Sequence, residues 1–326
     1  MKLTNKSGIQ CCIESYIGGR SENQDSAGVS ETPLGTVVVV CDGMGGMKGG
    51  AMASGIAVNT VINDVKSASV DDSPAEVLVA AIKHANAEII EAAKADSELF
   101  GMGTTLTALI LNDDCATVSY LGDSRVYQLR GKKKVFRTFD HSLVFQSVRQ
   151  GIITEEQARL SSQSNIILQA LGIKEEIDVE VFELPYLAGD RFLLCTDGFW
   201  GAMQEKDIID MIAKGNVPEV LKKAALKIDL LGIRQGGHHD NLTAAMFDVN
   251  KESKKKAKMT TKIKILFCLL LILLIGSISL NICQYSGLFT QEEQCSADMA
   301  STMETPQTAV TQTDTVNVAS DVQKID

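Results

Sequence analysis

Four aspartates in this sequence stand where an apolar, strand-like run gives way to a turn. These are Asp42, Asp123, Asp197 and Asp240. A fifth, Asp25, ends a polar stretch that begins at Arg20. Carboxylates held together repel one another unless a cation lies between them, and Mg²⁺ and Mn²⁺ prefer oxygen ligands. Two such ions lower the pKa of a bridging water and stabilise charge on a transferring phosphoryl group. Because a single Asp-Gly pair is typical of a turn, the residues alone indicate only a candidate multi-carboxylate metal site.

The elements that must position these aspartates are predicted from short apolar runs bounded by Gly, Asn and Asp. Strands are predicted at 36–41, 104–111, 117–120, 126–129, 191–195 and 242–247, with a hairpin over 126–137. Helical periodicity predicts helices at 51–65, 74–95, 154–161 and 217–228. Strands come in adjacent runs and helices in pairs, which favours an α+β fold of antiparallel sheets covered by helices.

The composition excludes several classes of protein. With 31 Lys+Arg against 41 Asp+Glu and a net charge of −10, the chain lacks the basic footprint of a nucleic-acid binder. None of the eight cysteines stands in a CxxC or Cys/His spacing that suggests zinc. The glycines that follow Asp42 are not succeeded by Gly-Lys-Ser/Thr, so a nucleotide-binding phosphate loop is not indicated.

The chain divides into four zones. Residues 1–250 have the pattern of a globular domain, and residues 251–264 form a basic juxtamembrane linker with seven lysines. No residue from 265 to 283 is charged, and at about 1.5 Å per residue a helix of this length reaches roughly 28 Å, close to the thickness of a bilayer core. The lysines before it predict a single-pass protein of the cell membrane with the globular domain in the cytosol. Residues 284–326 are polar and are predicted to be a disordered tail on the far side.

Seven short motifs, in order along the chain, give this sequence a recognisable family pattern. They are Arg20-x-x-Asn23-Gln24-Asp25, Asp42-Gly43-Met44-Gly45-Gly46, Gly103-Thr104-Thr105, Gly122-Asp123-Ser124-Arg125, Asp140-His141-Ser142, Thr196-Asp197-Gly198 and Asp240-Asn241. In these residues, over roughly 8–249, the sequence resembles the bacterial type 2C metal-dependent Ser/Thr protein phosphatases. The resemblance implies a four-layer α-β-β-α sandwich, in which a central antiparallel β-sandwich is flanked by helix pairs.

The resemblance also implies roles at the matching positions. Two Mn²⁺ or Mg²⁺ ions, with a third in a looser site, are expected. Asp42 would bridge two ions, Asp197 and Asp240 would bind one of them, and the Gly43 carbonyl would bind the other. Asp123 matches the third-metal site together with Asp197. Asp25 would orient water, and Arg20 would bind the substrate phosphate, which suits a planar bidentate guanidinium.

Two stretches depart from the family pattern. Many eukaryotic members have a histidine at the position of Met44, where it is thought to protonate the leaving group, so a metal-bound water or another side chain is expected to act here. The flap-like stretch 143–171 has Ser161-Ser162-Gln163-Ser164 where a basic segment is usual. Of the histidines, His141 is predicted to be structural, His84 an ordinary helix residue, and His238 and His239 either loop residues or residues that tune the site of Asp240.

The expected activity is hydrolysis of phosphoserine and phosphothreonine in proteins by a metal-activated water, without a phosphoenzyme. The expected partners are phosphorylated protein substrates, a Ser/Thr kinase whose action the enzyme counteracts, and the membrane through the C-terminal helix. Three alternatives remain open at this point: a catalytically weak membrane-bound sensor or scaffold, a sporulation-type regulatory phosphatase with one dedicated substrate, and a Mg²⁺-dependent nucleotide hydrolase.

Overall fold

The computed structural model describes residues 2–4, 10–46, 48–254 and 272–278. The chain separates into two compact units, Met1–Ala257 and Lys258–Asp326. In the second unit, residues 272–278 are helical. The rest of the predicted membrane span (265–283), most of the linker 251–264 and the whole tail 284–326 lie outside the described residues. No helix within the described ranges is long and apolar enough to span a bilayer.

The first unit is built on two antiparallel sheets, whose strands are numbered in chain order. Six strands form one sheet: β1 (Lys2–Thr4), β2 (Gln10–Tyr16), β9 (Arg125–Arg130), β10 (Lys133–Arg137), β12 (Asp190–Cys195) and β13 (Leu242–Asp248). Five form the other: β3 (Ser26–Thr32), β4 (Gly35–Cys41), β7 (Leu106–Leu111), β8 (Ala116–Leu121) and β11 (Val181–Leu184). A short two-stranded pair, β5 (Gly43–Met44) and β6 (Gly103–Thr104), falls between β4 and β7 along the chain. The spatial orders are β1-β2-β13-β12-β9-β10 and β11-β8-β7-β4-β3.

Among its described residues, the first unit has seven α-helices beside the sheets. They are α1 (Gly49–Ser67), α2 (Pro74–Ala95), α3 (Leu143–Arg149), α4 (Glu155–Arg159), α5 (Asp197–Trp200), α6 (Glu205–Ile212) and α7 (Val217–Arg234). The start of α2 shows why the sequence fixes its position. The Ser73 hydroxyl accepts a hydrogen bond from the Glu76 amide, and Pro74 occupies the first turn, where its missing N–H costs nothing.

The alternation of residues along β4 explains how the layers are held together. Val37, Val39 and Cys41 point to one side and pack with the buried faces of α1 and α2. Val38 and Val40 point to the other side, into the core shared by the two sheets. Because successive strand residues face opposite ways, a strand that is apolar on both faces can join two cores at once. A third cluster packs α6 and α7 against the outer face of the six-stranded sheet.

The predicted α+β class is therefore confirmed, as are the strands that carry the aspartates. The segment predicted as one strand over 104–111 divides into β6 and β7. Thr105 lies between them because its amide donates to the Asp42 carbonyl (2.8 Å) instead of joining a ladder. The strands β2, β3 and β11 and the helices α3, α5 and α6 were not predicted.

The last described residues of the first unit pack onto the end of the sandwich that is remote from Asp42. The Ser253 side chain is buried, and its hydroxyl accepts from the Tyr186 amide (2.9 Å). The Lys254 amide donates to the Asp113 carbonyl (2.8 Å), in the turn between β7 and β8. Residues 251–254, assigned to the linker from sequence, thus contact the catalytic unit.

Candidate active site

Asp42 directly follows the buried strand β4, and its main chain is held on both sides. Its amide donates to the Thr105 hydroxyl (2.9 Å). Its carbonyl accepts from the Thr105 amide (2.8 Å) and from the Thr104 hydroxyl (2.8 Å). Since Thr104 ends β6 and Thr105 directly precedes β7, the neighbour of β4 in its sheet, the Gly-Thr-Thr motif fixes the peptide from which the Asp42 carboxylate projects.

Asp197 and Asp25 meet at the end of the other sheet. Thr196 follows β12, and its hydroxyl donates to Asp25 Oδ2 (3.0 Å). Its amide donates to the Thr243 carbonyl of β13 (3.0 Å). Asp25 is buried, at 8% exposure, so it lies behind the surface of the site, whereas Asp197 begins α5 and reaches the cleft.

Asp123 follows β8 through Gly122, which has a φ of +95°. A Cβ at Gly122 would lie 2.6 Å from the Thr105 methyl carbon Cγ2, so both the backbone angle and the close approach require glycine. The Trp200 indole donates to the Asp123 carbonyl (2.9 Å). The aspartate is thereby fixed from α5, the helix that begins with Asp197.

Asp240 lies in the loop before β13 and faces Arg20. Its Oδ2 accepts from Arg20 Nη2 at 2.7 Å, and its Oδ1 accepts from the Asn241 amide at 2.8 Å. The Asn241 side chain in turn donates to the carbonyls of Ile17 and Glu22. Asn241 therefore ties the loop that carries Arg20 to the loop that carries Asp240, a role that the Asp-Asn motif did not reveal.

The cleft formed by these elements has a volume of about 820 Å³. Six of the seven predicted site residues line it: Arg20, Asp42, Gly43, Asp123, Asp197 and Asp240. On the side of the flap-like stretch it is lined by Asn165, Ile166 and Ile167, which sequence reasoning had not singled out. Gly43 is required by close packing, since a Cβ there would lie 2.1 Å from the Gly50 carbonyl oxygen.

The carboxylates in this cleft raise one another's proton affinity. Burial raises the pKa of Asp25 to about 7, and the neighbouring charges of Asp197 and Asp240 add to the rise. Burial, with the charge of Asp240, raises the pKa of Asp197 to about 6. The pKa values of Asp42 and Asp123 also lie well above the usual range, because burial and then the charge of Asp197 disfavour their ionised forms.

Three carboxylate oxygens at the site are buried and accept no hydrogen bond from the protein: Asp25 Oδ1, Asp123 Oδ1 and Asp197 Oδ1. Buried carboxylates are costly unless they are paired, hydrogen-bonded or bound to a cation. Within the described ranges, no three acidic, histidine or cysteine side chains already converge as ligands of a single ion. Asp240, in particular, is turned toward Arg20 and Asn241. The arrangement is a ring of hard oxygen donors around a cleft.

The histidines occupy separate surroundings. His141 stacks on Tyr120, with ring centroids 4.7 Å apart, and its amide donates to the Gly122 carbonyl. Burial lowers the His141 pKa to about 4, and the structural role of this histidine stays a prediction. His84 lies on α2, where its exposed ring contacts Asp64 of α1. His238 is exposed, and His239 binds Asp229.

Residues 14–230 match the family profile described as protein phosphatase 2C. The chain belongs to the protein phosphatase 2C family. A serine/threonine phosphatase (stp) of Listeria innocua is 33% identical over 244 residues, which cover 72% of this chain and 93% of that protein. The protein phosphatase PhpP of Streptococcus pneumoniae is 32% identical over 240 residues, which cover 72% of this chain and 94% of PhpP.

Solved structures of protein phosphatase 2C relatives share the fold. The Mycobacterium tuberculosis serine/threonine phosphatase PstP superimposes with a TM-score of 0.63 at 29% identity, covering 74% of this chain and 99% of the other. A structure of the PstP catalytic domain holds two manganese ions, and it superimposes with a TM-score of 0.62 at 29% identity, covering 74% of this chain and 99% of that one. The family predicted from the sequence motifs is therefore confirmed.

Proposed function

We propose that this chain is a protein-serine/threonine phosphatase that uses Mn²⁺ or Mg²⁺ held by the aspartates of the cleft. The observation that carries the proposal is the set of unpartnered buried oxygens on Asp25, Asp123 and Asp197 beside the exposed guanidinium of Arg20. Hard oxygen donors of this kind fit Mg²⁺ and Mn²⁺. When bound, the ions supply charge that activates water and stabilises the transferring phosphoryl group.

The side chains divide the work by position. Asp42, Asp197 and Asp240, with the Gly43 carbonyl, would hold two ions, and Asp123 with Asp197 would hold a third more loosely. Asp25 lies behind them and accepts from Thr196, so it is placed to orient water rather than to contact the substrate. Arg20 extends into the cleft with a side chain that is 55% exposed and would bind two phosphate oxygens through its planar fork.

The leaving group needs a proton, and Met44 cannot provide one because a thioether has no ionisable hydrogen. Met44 lines the cleft and therefore shapes it without acid–base chemistry. His141 is also unsuited to the task, since burial lowers its pKa to about 4 and it is held against Tyr120. The proton is assigned to solvent in the cleft.

The experiment that tests the activity compares the full chain with single substitutions on a phosphothreonine peptide in the presence of Mn²⁺. Asp42→Asn and Asp197→Asn should each abolish metal-dependent release of phosphate. Asp71→Asn, in the exposed loop between α1 and α2, is the matched control and should keep the wild-type rate. Full activity in Asp197→Asn would overturn the proposal, and inactivity of the wild type with intact peptide binding would favour the sensor alternative.

We also propose that residues 265–283 anchor the enzyme in the cell membrane, with residues 1–250 in the cytosol, where a Ser/Thr kinase phosphorylates its substrates. The support is sequence: the run is uncharged and follows seven lysines. Extraction of membranes with alkaline carbonate should leave the full chain in the pellet. A chain shortened after Lys254 should be released, and the same distribution of both chains would contradict the anchor.

A further inference from the structure

The loop that delivers Asp240 to the cleft has little stiffness of its own. Gly236 and Gly237 precede it with φ values of +116° and +73°. Glycines in this region are the residues with the greatest backbone freedom. The placement of the Asp240 carboxylate must therefore come from contacts that the loop makes with its neighbours.

One such contact is made by the side chain of the residue just before Asp240. His239 Nε2 lies 2.8 Å from Asp229 Oδ1 on α7. Since a carboxylate only accepts, the ring nitrogen is the donor. The two side chains are only 17% and 21% exposed, so the bond is shielded from water on most sides.

The helix has a glycine at the place where the imidazole ring rests. A Cβ added at Gly232 would lie 2.1 Å from Cγ of His239. Asp229 and Gly232 are one helical turn apart and form one face of α7, as residues three apart do. The helix thus offers a hydrogen-bond acceptor at Asp229 and free space at Gly232. The His239 ring donates to the first and lies against the second.

The backbone of the same residue is held from the opposite side. The His239 carbonyl accepts from the Gly19 amide at 2.9 Å, and a Cβ at Gly18 would lie 2.2 Å from the Asp240 carbonyl oxygen. Arg20 follows these two glycines directly. His239 therefore joins α7 to the loop that carries Arg20, at the position immediately before Asp240.

We propose that His239 is a positioning residue for Asp240: through Asp229 and Gly232 it anchors the loop on α7 and so sets the affinity of the cleft for its divalent cation. This inference rests on the proposed metal-dependent function. In this role the imidazole would bind neither phosphate nor ion itself. It acts by restricting the directions in which the next residue can point.

The test measures Mn²⁺ binding to the full chain by titration calorimetry, which does not depend on turnover. His239→Ala and Asp229→Ala should each weaken binding about tenfold, the range seen when partners that orient metal ligands are removed. The double variant should be no weaker than either single one, since both break the same contact. His239→Gln keeps an N–H donor and should recover most of the affinity, whereas Gly232→Ala should weaken binding by displacing the ring.

Two controls separate positioning from general damage. His84→Ala removes the other His–Asp contact, His84 with Asp64, and should leave Mn²⁺ binding unchanged. At saturating Mn²⁺ the kcat of His239→Ala should approach that of the wild type, which a merely misfolded variant would not do.

The outcomes are distinguishable. Wild-type affinity in His239→Ala, Asp229→Ala and Gly232→Ala, or strictly additive losses in the double variant, would overturn the positioning role and leave the phosphatase proposal standing. Absence of Mn²⁺ binding by the wild type would overturn the metal-dependent function and the inference with it.

Discussion

Arg20 Nη2 lies 2.7 Å from Asp240 Oδ2, so the residue assigned to phosphate is paired with a residue assigned to metal. The side chains are 55% and 40% exposed, and a pair this open contributes little to stability. It can therefore be exchanged at low cost for stronger partners. A bound cation would attract Asp240 and a bound phosphate would attract Arg20. Binding of both would therefore separate the two side chains.

Replacing Arg20 by Ala should impair substrate capture more than metal binding. A charge-assisted hydrogen bond contributes about 1.5–3 kcal/mol, so KM for a phosphopeptide should rise roughly 10- to 100-fold. Mn²⁺ affinity should be unchanged or higher, since Asp240 loses a competing partner. Steady-state kinetics and calorimetry on the same preparation would measure both. Lys223→Ala, an exposed lysine on α7, is the control, and a selective fall in Mn²⁺ affinity in Arg20→Ala would contradict the assignment.

Replacing Asp197 by Asn should abolish turnover and yet stabilise the protein in chelator. Burial and the charge of Asp240 raise the Asp197 pKa to about 6, so at pH 8 the ionised group destabilises the folded state. Removing that charge should increase the free energy of unfolding by about 1–3 kcal/mol, at 1.36 kcal/mol for each unit of pKa. Urea unfolding at pH 8 would measure it. With saturating Mn²⁺ the wild type should have the higher free energy of unfolding. A lower free energy of unfolding for Asp197→Asn than for the wild type in chelator would contradict the repulsion described here.

The contribution of Asp25 should depend on pH in a defined direction. Its folded pKa is raised from 3.8 to about 7 by burial, so folding is favoured while the group is protonated and this advantage is lost as the pH rises from about 4 to about 7. Asp25→Asn removes the titration. The variant's stability relative to wild type in chelator should therefore increase by about 1–3 kcal/mol between pH 5 and pH 8.

The stabilities of Asp25→Asn and the wild type must be compared at each pH, because His141, which both proteins contain, titrates in the opposite sense. Burial lowers the His141 pKa to about 4, so its contribution to stability grows as the pH rises toward the ordinary histidine value. A difference between Asp25→Asn and wild type that stays constant across the range would show that Asp25 is not held protonated by the fold.

Loss of Arg125 should destabilise the folded protein strongly. It forms a bidentate pair with Asp140 (2.8 and 2.7 Å), both side chains are almost completely buried, and its guanidinium lies 3.4 Å from the centre of a Trp200 ring. Arg125→Ala would leave Asp140 buried without its partner, a change that costs about 3–5 kcal/mol. Chemical denaturation would measure the loss.

An exposed ion pair supplies the comparison for Arg125. Lys94 binds Glu91 on the surface of α2, and Lys94→Ala should leave the free energy of unfolding nearly unchanged because the pair is open to solvent. Similar losses for Lys94→Ala and Arg125→Ala would contradict the importance given to the buried pair. Trp200→Phe keeps a ring over Arg125 but removes the bond to the Asp123 carbonyl, so it should reduce stability by about 1 kcal/mol.

Local patterns revealed the strands that end at the aspartates, because those strands are apolar on both faces. The run of valines in β4 is typical of a buried strand. In contrast, β3 has the sequence Ser-Ala-Gly-Val-Ser-Glu-Thr, which carries little apolar signal. It becomes a strand because it pairs along its whole length with β4. Such pairing is a tertiary effect, and propensity does not predict it.

Convergence of the site was the part that the residues alone could not supply. Asp42 and Asp197 end strands that belong to different sheets, and the meeting of those strand ends depends on the packing between the sheets. The family resemblance predicted six of the residues that line the cleft, but not Asn165, Ile166 and Ile167. It did not indicate the Arg20–Asp240 pair or the role of Asn241, which depend on how two separate loops meet.

Ser253 and Lys254 pack against Tyr186 and Asp113, and this contact fixes the point at which the described chain of the first unit ends. β13 (Leu242–Asp248) begins directly after Asn241 in the cleft and ends near this point, and its seven residues at about 3.3 Å each span roughly 23 Å. A fluorescent label or an affinity handle fused after Lys254 would therefore sit at the pole opposite the cleft. Attaching the enzyme at this point would leave the cleft accessible to bulky substrates. Ending the chain at Asn250 would remove the hydrogen bond that Ser253 accepts from the Tyr186 amide.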